Sequence, residues 1–225
     1  MCIAILTGPG RVVSEDTFRR CWRNNSHGFG MAYNNPYHGK EVDTDKGYMN
    51  VEAALQAYQR MAEYAGKDNP MLLHFRAATV GTINAANCHP FKVRGGAMIH
   101  NGTFFRDARM DKSDSRHVAE TMHNELTYEN LTANKKAFDD AFGYNRVAFL
   151  YAKGKYVIFS EDYEKMAGKY GQWHDGIWYS NGGWRGDYGE YYGNGVKPVD
   201  DVPVMNDDVG LAELDKALER MNRKI

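Results

Sequence analysis

Three cysteines in 225 residues, an odd number without a CxxC pair, do not make a disulfide framework and suit a reducing compartment. No apolar run approaches the roughly 20 residues that cross a bilayer as a helix. The opening stretch MCIAILTGPGR has no basic leader and is too short for a signal peptide. A soluble, cytoplasmic protein with no membrane partner is expected. An excess of one charge is missing as well, since 28 Lys and Arg stand against 29 Asp and Glu. Nucleic-acid partners call for a basic patch or stripe, and none shows, so no nucleic acid is expected. Neither GxxxxGK[ST] nor GxGxxG occurs, which leaves a phosphate cradle without support. The 8 histidines are scattered, and His117 with His123 lacks the spacing of a helical metal pair. No metal and no cofactor is expected.

What is present is an ordinary globular composition, 43% hydrophobic and 25% charged, enough for one good core. Cys2 to Leu6 reads as a buried strand ended by Gly8, Pro9 and Gly10. Ser14 is placed to cap a helix to about Asn24, with Phe18, Cys21 and Trp22 on one face. Phe29 to Tyr33 reads as a second strand. Asn50 caps a helix to about Ala65, in which Val51, Leu55, Tyr58 and Met61 recur at helical spacing. Met71 to Arg76 and Ala97 to His100 read as strands. Asp114 or Ser113 caps a third helix to about Leu126, and a fourth runs from about Thr132 to Phe142. Arg146 to Ala152 and Lys155 to Ser160 form a hairpin around Lys153-Gly154. Strands and helices interleave with strand pairs in succession, which favours a layered α/β or α+β domain over a doubly wound parallel sheet. Residues 1–181 are expected to be one domain. Residues 182–225 read as an appended Gly/Tyr-rich loop, either a plain loop or a lid or docking surface, then a last helix with Leu211, Leu214, Leu218 and Met221.

Chemistry concentrates first at Cys2. Removal of Met1 before a small residue puts a thiol and a free α-amine on one residue. Their ordinary pKa values, about 8.5 and about 7.7–8.0, differ so little that moving the proton from sulfur to nitrogen costs roughly 1 kcal/mol or less. One residue then supplies nucleophile and base. By itself such a cysteine is usually a small buried hydrophobe. Arg76, at a strand end in HFRAATVG, suits a substrate carboxylate through two parallel hydrogen bonds. Asn101 and Gly102, ending a strand in IHNGTF, offer a side-chain amide and a backbone N–H to one oxyanion. Asp114 in KSDSRHVAE offers an acceptor for an ammonium. Read singly, these are an ion pair, a turn and a helix cap.

Taken together and in order, MC, HGFGMAY, HFRAATVGTINAANCHPF, MIHNGTF and SDS resemble the class II glutamine amidotransferases, most of all the compact stand-alone type. The likeness runs from about residue 1 to about residue 160. It implies an α+β fold, the four-layer αββα sandwich of N-terminal-nucleophile hydrolases. It implies Cys2 as nucleophile and base, Arg76 on the substrate α-carboxylate and Asp114 on the α-ammonium. Asn101 and Gly102 would form the oxyanion hole, Thr79 and Gly81 would shape the pocket behind Arg76, and Gly28 and Gly30 would let a strand approach the nucleophile. His89 and Pro90 read as structural. The sequence departs from the family at Ile3, where Gly is common, and at His27, where an acidic residue is common. The implied activity is glutamine amidohydrolysis through a γ-glutamyl thioester. The rival readings are a γ-glutamyl peptide or amide hydrolase with the same site, and a catalytically silent scaffold. About 60 residues lie beyond the likeness, too few for a synthase domain of the usual ~100–200 residues. Ammonia used productively is therefore expected to pass to a separate synthase subunit.

Overall fold

The computed structural model describes residues 1–37, 41–105, 111–160 and 170–186. The chain is a mixed α/β protein with two antiparallel sheets. Six strands make the larger one, in the order β3-β2-β4-β1-β10-β9. They are β1 (Ile3–Thr7), β2 (Phe29–Asn34), β3 (Val42–Tyr48), β4 (Met71–Phe75), β9 (Tyr170–His174) and β10 (Ile177–Asn181). The smaller sheet is β5 (Phe91–Val93), β6 (Gly96–Asn101), β7 (Arg146–Tyr151) and β8 (Tyr156–Phe159), paired in chain order.

Alternation along the strands divides the apolar residues among three cores. Ile3, Ile5, Phe29, Met31, Leu73 and Phe75 join α1 (Glu15–Asn24) and α2 (Val51–Tyr64) through Phe18, Cys21, Leu55 and Tyr58. Their sheet neighbours Ala4, Leu6, Ala32 and Leu72 meet Ala97, Ile99, Ala148 and Leu150 of the smaller sheet. The alternate residues of that sheet, Met98, Val147, Phe149 and Tyr151, join α3 (Asp114–Thr121), α4 (Tyr128–Ala133) and α5 (Lys135–Phe142). Small and large residues alternate where the sheets face each other, so side chains interdigitate there. At the centre of the first core Phe18 meets the rings of Phe75, Phe29 and Tyr58 with centroids 4.7, 4.9 and 5.4 Å away.

The helix starts follow the sequence reading. The Ser14 side chain accepts from the Thr17 amide, and Asn50 accepts from Glu52 and Ala53. Two helix readings change. The segment from Thr132 to Phe142 is two helices divided at Asn134, whose backbone leaves the helical region at φ −113, ψ 29. The Asn134 side-chain amide donates to the Asn130 carbonyl at 3.4 Å, the kind of side-chain competition for backbone acceptors that weakens a helix. The third helix ends at Thr121 rather than near Leu126. Met122 and Leu126 still enter the core, so their helical spacing carries burial past the last helical turn.

Four strands are absent from the sequence reading. β3 is an edge strand of sequence VDTDKGY, and charged edges of this kind discourage further pairing while hiding the strand from propensity. β5 is only 3 residues long. β9 and β10 form a hairpin through Asp175 and Gly176, both with positive φ (49 and 75). Asp-Gly is the two-residue hairpin signal, so this pair was legible. β10 lies against β1, and the sheet that holds Cys2 is incomplete without it. The start of the Gly/Tyr-rich segment docks back on α1, where Arg20 and Asn24 donate to the carbonyls of Trp184 and Gly183. Its remainder and the last helix lie outside the described residues. No helix among the described residues is long and apolar enough to cross a membrane.

Candidate active site

Antiparallel pairing of β1 with β4 sets Ile3 opposite Phe75. Cys2, one residue before, therefore meets the chain leaving β4 at Arg76 and Ala77. The Cys2 sulfur lies 3.3 Å from the Ala77 amide nitrogen and 3.4 Å from the Ala77 carbonyl oxygen. Two β10 residues pin the other side of the N-terminus. The Asn181 amide donates to the Cys2 carbonyl at 2.7 Å, and the Ala4 amide donates to the Ser180 hydroxyl at 2.9 Å. Neither residue stands out in the sequence. Their only signal is the hairpin that delivers them.

Arg76 is 2% exposed. Its guanidinium donates to the carbonyls of Thr82 at 2.9 Å and Val80 at 3.1 Å, so the Ala77–Thr82 loop curls around it. Three of its five N–H groups are not needed for those two bonds. Gly81 closes the loop at φ +75, where a Cβ would lie 2.6 Å from the Ser113 amide nitrogen. Ser113, not Asp114, caps α3, accepting from Arg116. The Asp114 carboxylate is thereby released toward the loop after β6. It accepts from the Phe104 amide at 2.7 Å and from the Ser115 amide at 2.8 Å.

β6 ends in Asn101 and Gly102. The Asn101 side chain is fully buried and donates to the Ser180 hydroxyl at 3.0 Å, while its Oδ1 has no hydrogen-bond partner. Gly102 sits at φ +152, and a Cβ there would meet Asn145 Oδ1 at 2.0 Å. That close approach requires glycine. Ser180 thus ties β1, β10 and β6 together with one oxygen. Ser180→Ala is expected to cost about 1–3 kcal/mol for each donor left unpaired in the interior, read as a lower urea midpoint at unchanged slope.

A pocket collects Cys2, Arg76, Thr79, Gly102 and Asp114, with His89 and His100 in its wall. Asn101 and Gly81 are not in the lining; Asn101 stands behind Gly102, and Gly81 braces the loop. Burial raises the Cys2 thiol pKa, opposed by the Ala77 amide, the Met1 terminal ammonium and Arg76, and reinforced by Asp114. Burial lowers the Arg76 pKa, opposed by Cys2, Cys88 and Asp114. A bare thiolate is therefore disfavoured here, and this sulfur would need a nearby base to act as a nucleophile at neutral pH. Among the described residues no group of three or more His, Cys, Asp or Glu is disposed to hold a metal ion.

Three histidines are buried together beside the pocket. His74 shares its Nε2 with the His100 carbonyl at 2.9 Å, and the His74 and His89 ring centroids are 3.9 Å apart. Burial lowers His74 to about 3, and lowers His89 and His100 as well. In the unfolded chain each returns to about 6.5. Below that value the unfolded chain binds the extra protons, so the stability these histidines supply is complete above pH ~6.5 and drains away as pH falls toward ~3. For His74 the slope is about 1.4 kcal/mol per pH unit, and His89 and His100 add to it in the same direction. Urea unfolding midpoints should therefore drop steeply between pH 6.5 and 4.5. A flat midpoint across that window would contradict the buried neutral imidazoles.

No protein-family model matches the chain, and no curated protein sequence matches it. Among solved structures it is similar to glutamine phosphoribosylpyrophosphate amidotransferase from B. subtilis, complexed with ADP and GMP, at a TM-score of 0.45 and 13% identity. The likeness covers 80% of this chain and 41% of that one, so the chain spans less than half the length of that protein.

Proposed function

We propose that this protein is an N-terminal-nucleophile amidohydrolase of the class II glutamine amidotransferase type, built as an αββα sandwich. The three successive cores, helices on sheet, sheet on sheet and sheet on helices, support that layering. The observation that carries the activity is the Cys2 sulfur beside Ala77, in one pocket with Arg76, Gly102 and Asp114.

Loss of Met1 gives Cys2 a free α-amine, which takes the thiol proton as sulfur attacks the side-chain carboxamide carbon of glutamine. The S–C bond forms, and the carbonyl electrons move to oxygen. Arg76 holds the substrate α-carboxylate through N–H groups not given to Val80 and Thr82, and Asp114 takes the α-ammonium. The Gly102 N–H faces the oxyanion. Asn101 joins it when its side chain is turned by half a rotation, which interchanges the two amide ends. The Ser180 hydroxyl then donates to Asn101 Oδ1 while still accepting from Ala4, and the NH₂ is left for the oxyanion. The C–N bond breaks as the amine returns its proton to the leaving ammonia. Water, deprotonated by the same amine, hydrolyses the γ-glutamyl thioester to glutamate. Ammonia goes to water or to a separate synthase subunit.

Mass spectrometry of the purified chain together with ammonia release from glutamine tests this reading. Loss of Met1, labelling of Cys2 by an electrophilic glutamine analogue and ammonia release are expected. An intact Met1 with no labelling would leave a silent scaffold. Cleavage of γ-glutamyl peptides in place of glutamine would move the substrate while keeping the site.

A further inference from the structure

His27 lies two residues before β2, half-buried, and the mechanism gives it no role. Its backbone N–H donates to the Arg76 carbonyl at 2.9 Å, and the Arg76 N–H donates to the Gly28 carbonyl at 2.9 Å. This pair continues the β2–β4 ladder past its last strand residues. The side chain adds a third bond: the Ala78 amide donates to His27 Nδ1 at 2.9 Å. A backbone N–H can only donate, so Nδ1 must be the unprotonated nitrogen and the imidazole is neutral, with its proton on Nε2. An imidazolium would turn N–H toward N–H.

The residue between these bonds is the one that matters to the sulfur. The Ala77 C=O shares a peptide plane with the Ala78 N–H and the Ala77 N–H shares one with the Arg76 C=O, and these two Ala77 groups are within reach of Cys2 Sγ. Arg76 fixes the loop from its far side, through Val80 and Thr82. His27 fixes the near side. Released, the Ala77–Ala78 plane is free to rotate, and Ala77 is held only through the His27 N–H on the Arg76 carbonyl, so the Ala77 N–H that meets the sulfur loses part of its restraint.

We propose that His27 is a positioning residue for the nucleophile: its backbone N–H holds the Arg76–Ala77 peptide and its neutral imidazole the Ala77–Ala78 peptide, so that Ala77 is fixed from both sides with its N–H against the Cys2 sulfur. The proposal rests on the reading of Cys2 as nucleophile. It assigns His27 to thiolate stabilisation, a task any acceptor at that spot performs, and not to proton transfer.

The test follows alkylation of Cys2 by iodoacetamide as a function of pH in the full chain, with Cys2→Ala as the blank for Cys21 and Cys88. His27→Phe keeps a ring and removes the acceptor. His27→Asn sets an amide oxygen in the place of Nδ1. In His27→Phe the midpoint of the alkylation profile should move to higher pH. Its rate near neutrality should fall about three- to tenfold, the worth of one neutral hydrogen bond. His27→Asn should return to within about twofold of wild type. For glutamine the loss should appear in kcat and leave KM nearly unchanged. A His27→Phe profile superimposable on wild type would overturn the proposal. So would a His27→Asn protein that folds, judged by its near-UV circular dichroism, but alkylates as slowly as His27→Phe. Alkylation needs no glutamine, so a protein that releases no ammonia but shows the shifted and rescued profile would sink the proposed activity and keep this inference.

Discussion

Cys2→Ala is expected to abolish the proposed release of ammonia from glutamine and to leave the fold within about 1 kcal/mol of wild type. The side chain is half-buried before the first residue of β1, and its hydrogen bonds go to Ala77 alone. The bonds that anchor this end of the chain use the Cys2 carbonyl and the Ala4 amide, which alanine preserves. Small changes without a lost core contact or a stranded polar group stay near this limit. Turnover has no such reserve, because the covalent step needs the sulfur. The one competitor in the pocket wall is Ser115, whose hydroxyl lies 2.7 Å from His100 Nδ1, with His100 Nε2 2.8 Å from Asn145 Oδ1. That is the outline of a hydroxyl, a base and an orienting amide. Ser115 is 3% exposed, however, and its oxygen is also 3.3 Å from Asp114 Oδ1. It is better read as a brace that aims Asp114. Steady-state ammonia release separates the two, since a working Ser115 would survive Cys2→Ala and fail in Ser115→Ala.

How far the sequence reaches differs between scaffold and site. β1, β2, β4, β6 and the β7–β8 hairpin were legible because their residues are buried on one or both faces and alternate accordingly. α1 and α2 were legible from Ser14 and Asn50, whose side chains satisfy the first amides of each helix. β3 was not, since an edge strand carrying Asp43, Asp45 and Lys46 looks like a loop to any propensity argument. In the site, Cys2, Arg76, Thr79, Gly102 and Asp114 converge on one pocket, though sequence spacing supplies only their order. What escaped are the residues that hold them in place. Ser180 and Asn181 reach the N-terminus across 176 and 179 positions of chain, and no local pattern encodes such a contact. His27 looked like a departure at its position, yet it supplies an acceptor to a backbone amide.

Asn101→Ala is the second large effect, and it differs in kind from the first. Loss of one oxyanion donor costs about 10²–10³ in kcat, or about 2.7–4 kcal/mol. Measurable turnover should therefore remain, because the Gly102 N–H and the Cys2 sulfur are untouched. KM for glutamine should change little, since Arg76 and Asp114 read the other end of the substrate. Stability should fall as well, by about 1–3 kcal/mol, because a fully buried side chain is truncated and its hydrogen bond to the Ser180 hydroxyl is lost. Asn101→Asp sharpens the measurement. It is close in shape and still able to accept from Ser180, but it places a carboxylate where an anion must form. It should be at least as inactive as the alanine variant at neutral pH, with part of the loss recovered on acidification as the carboxyl takes a proton and becomes a donor. A kcat for Asn101→Ala within about threefold of wild type would mean that the side chain only braces Ser180 and Gly102. The oxyanion would then rest on the backbone N–H of Gly102 alone.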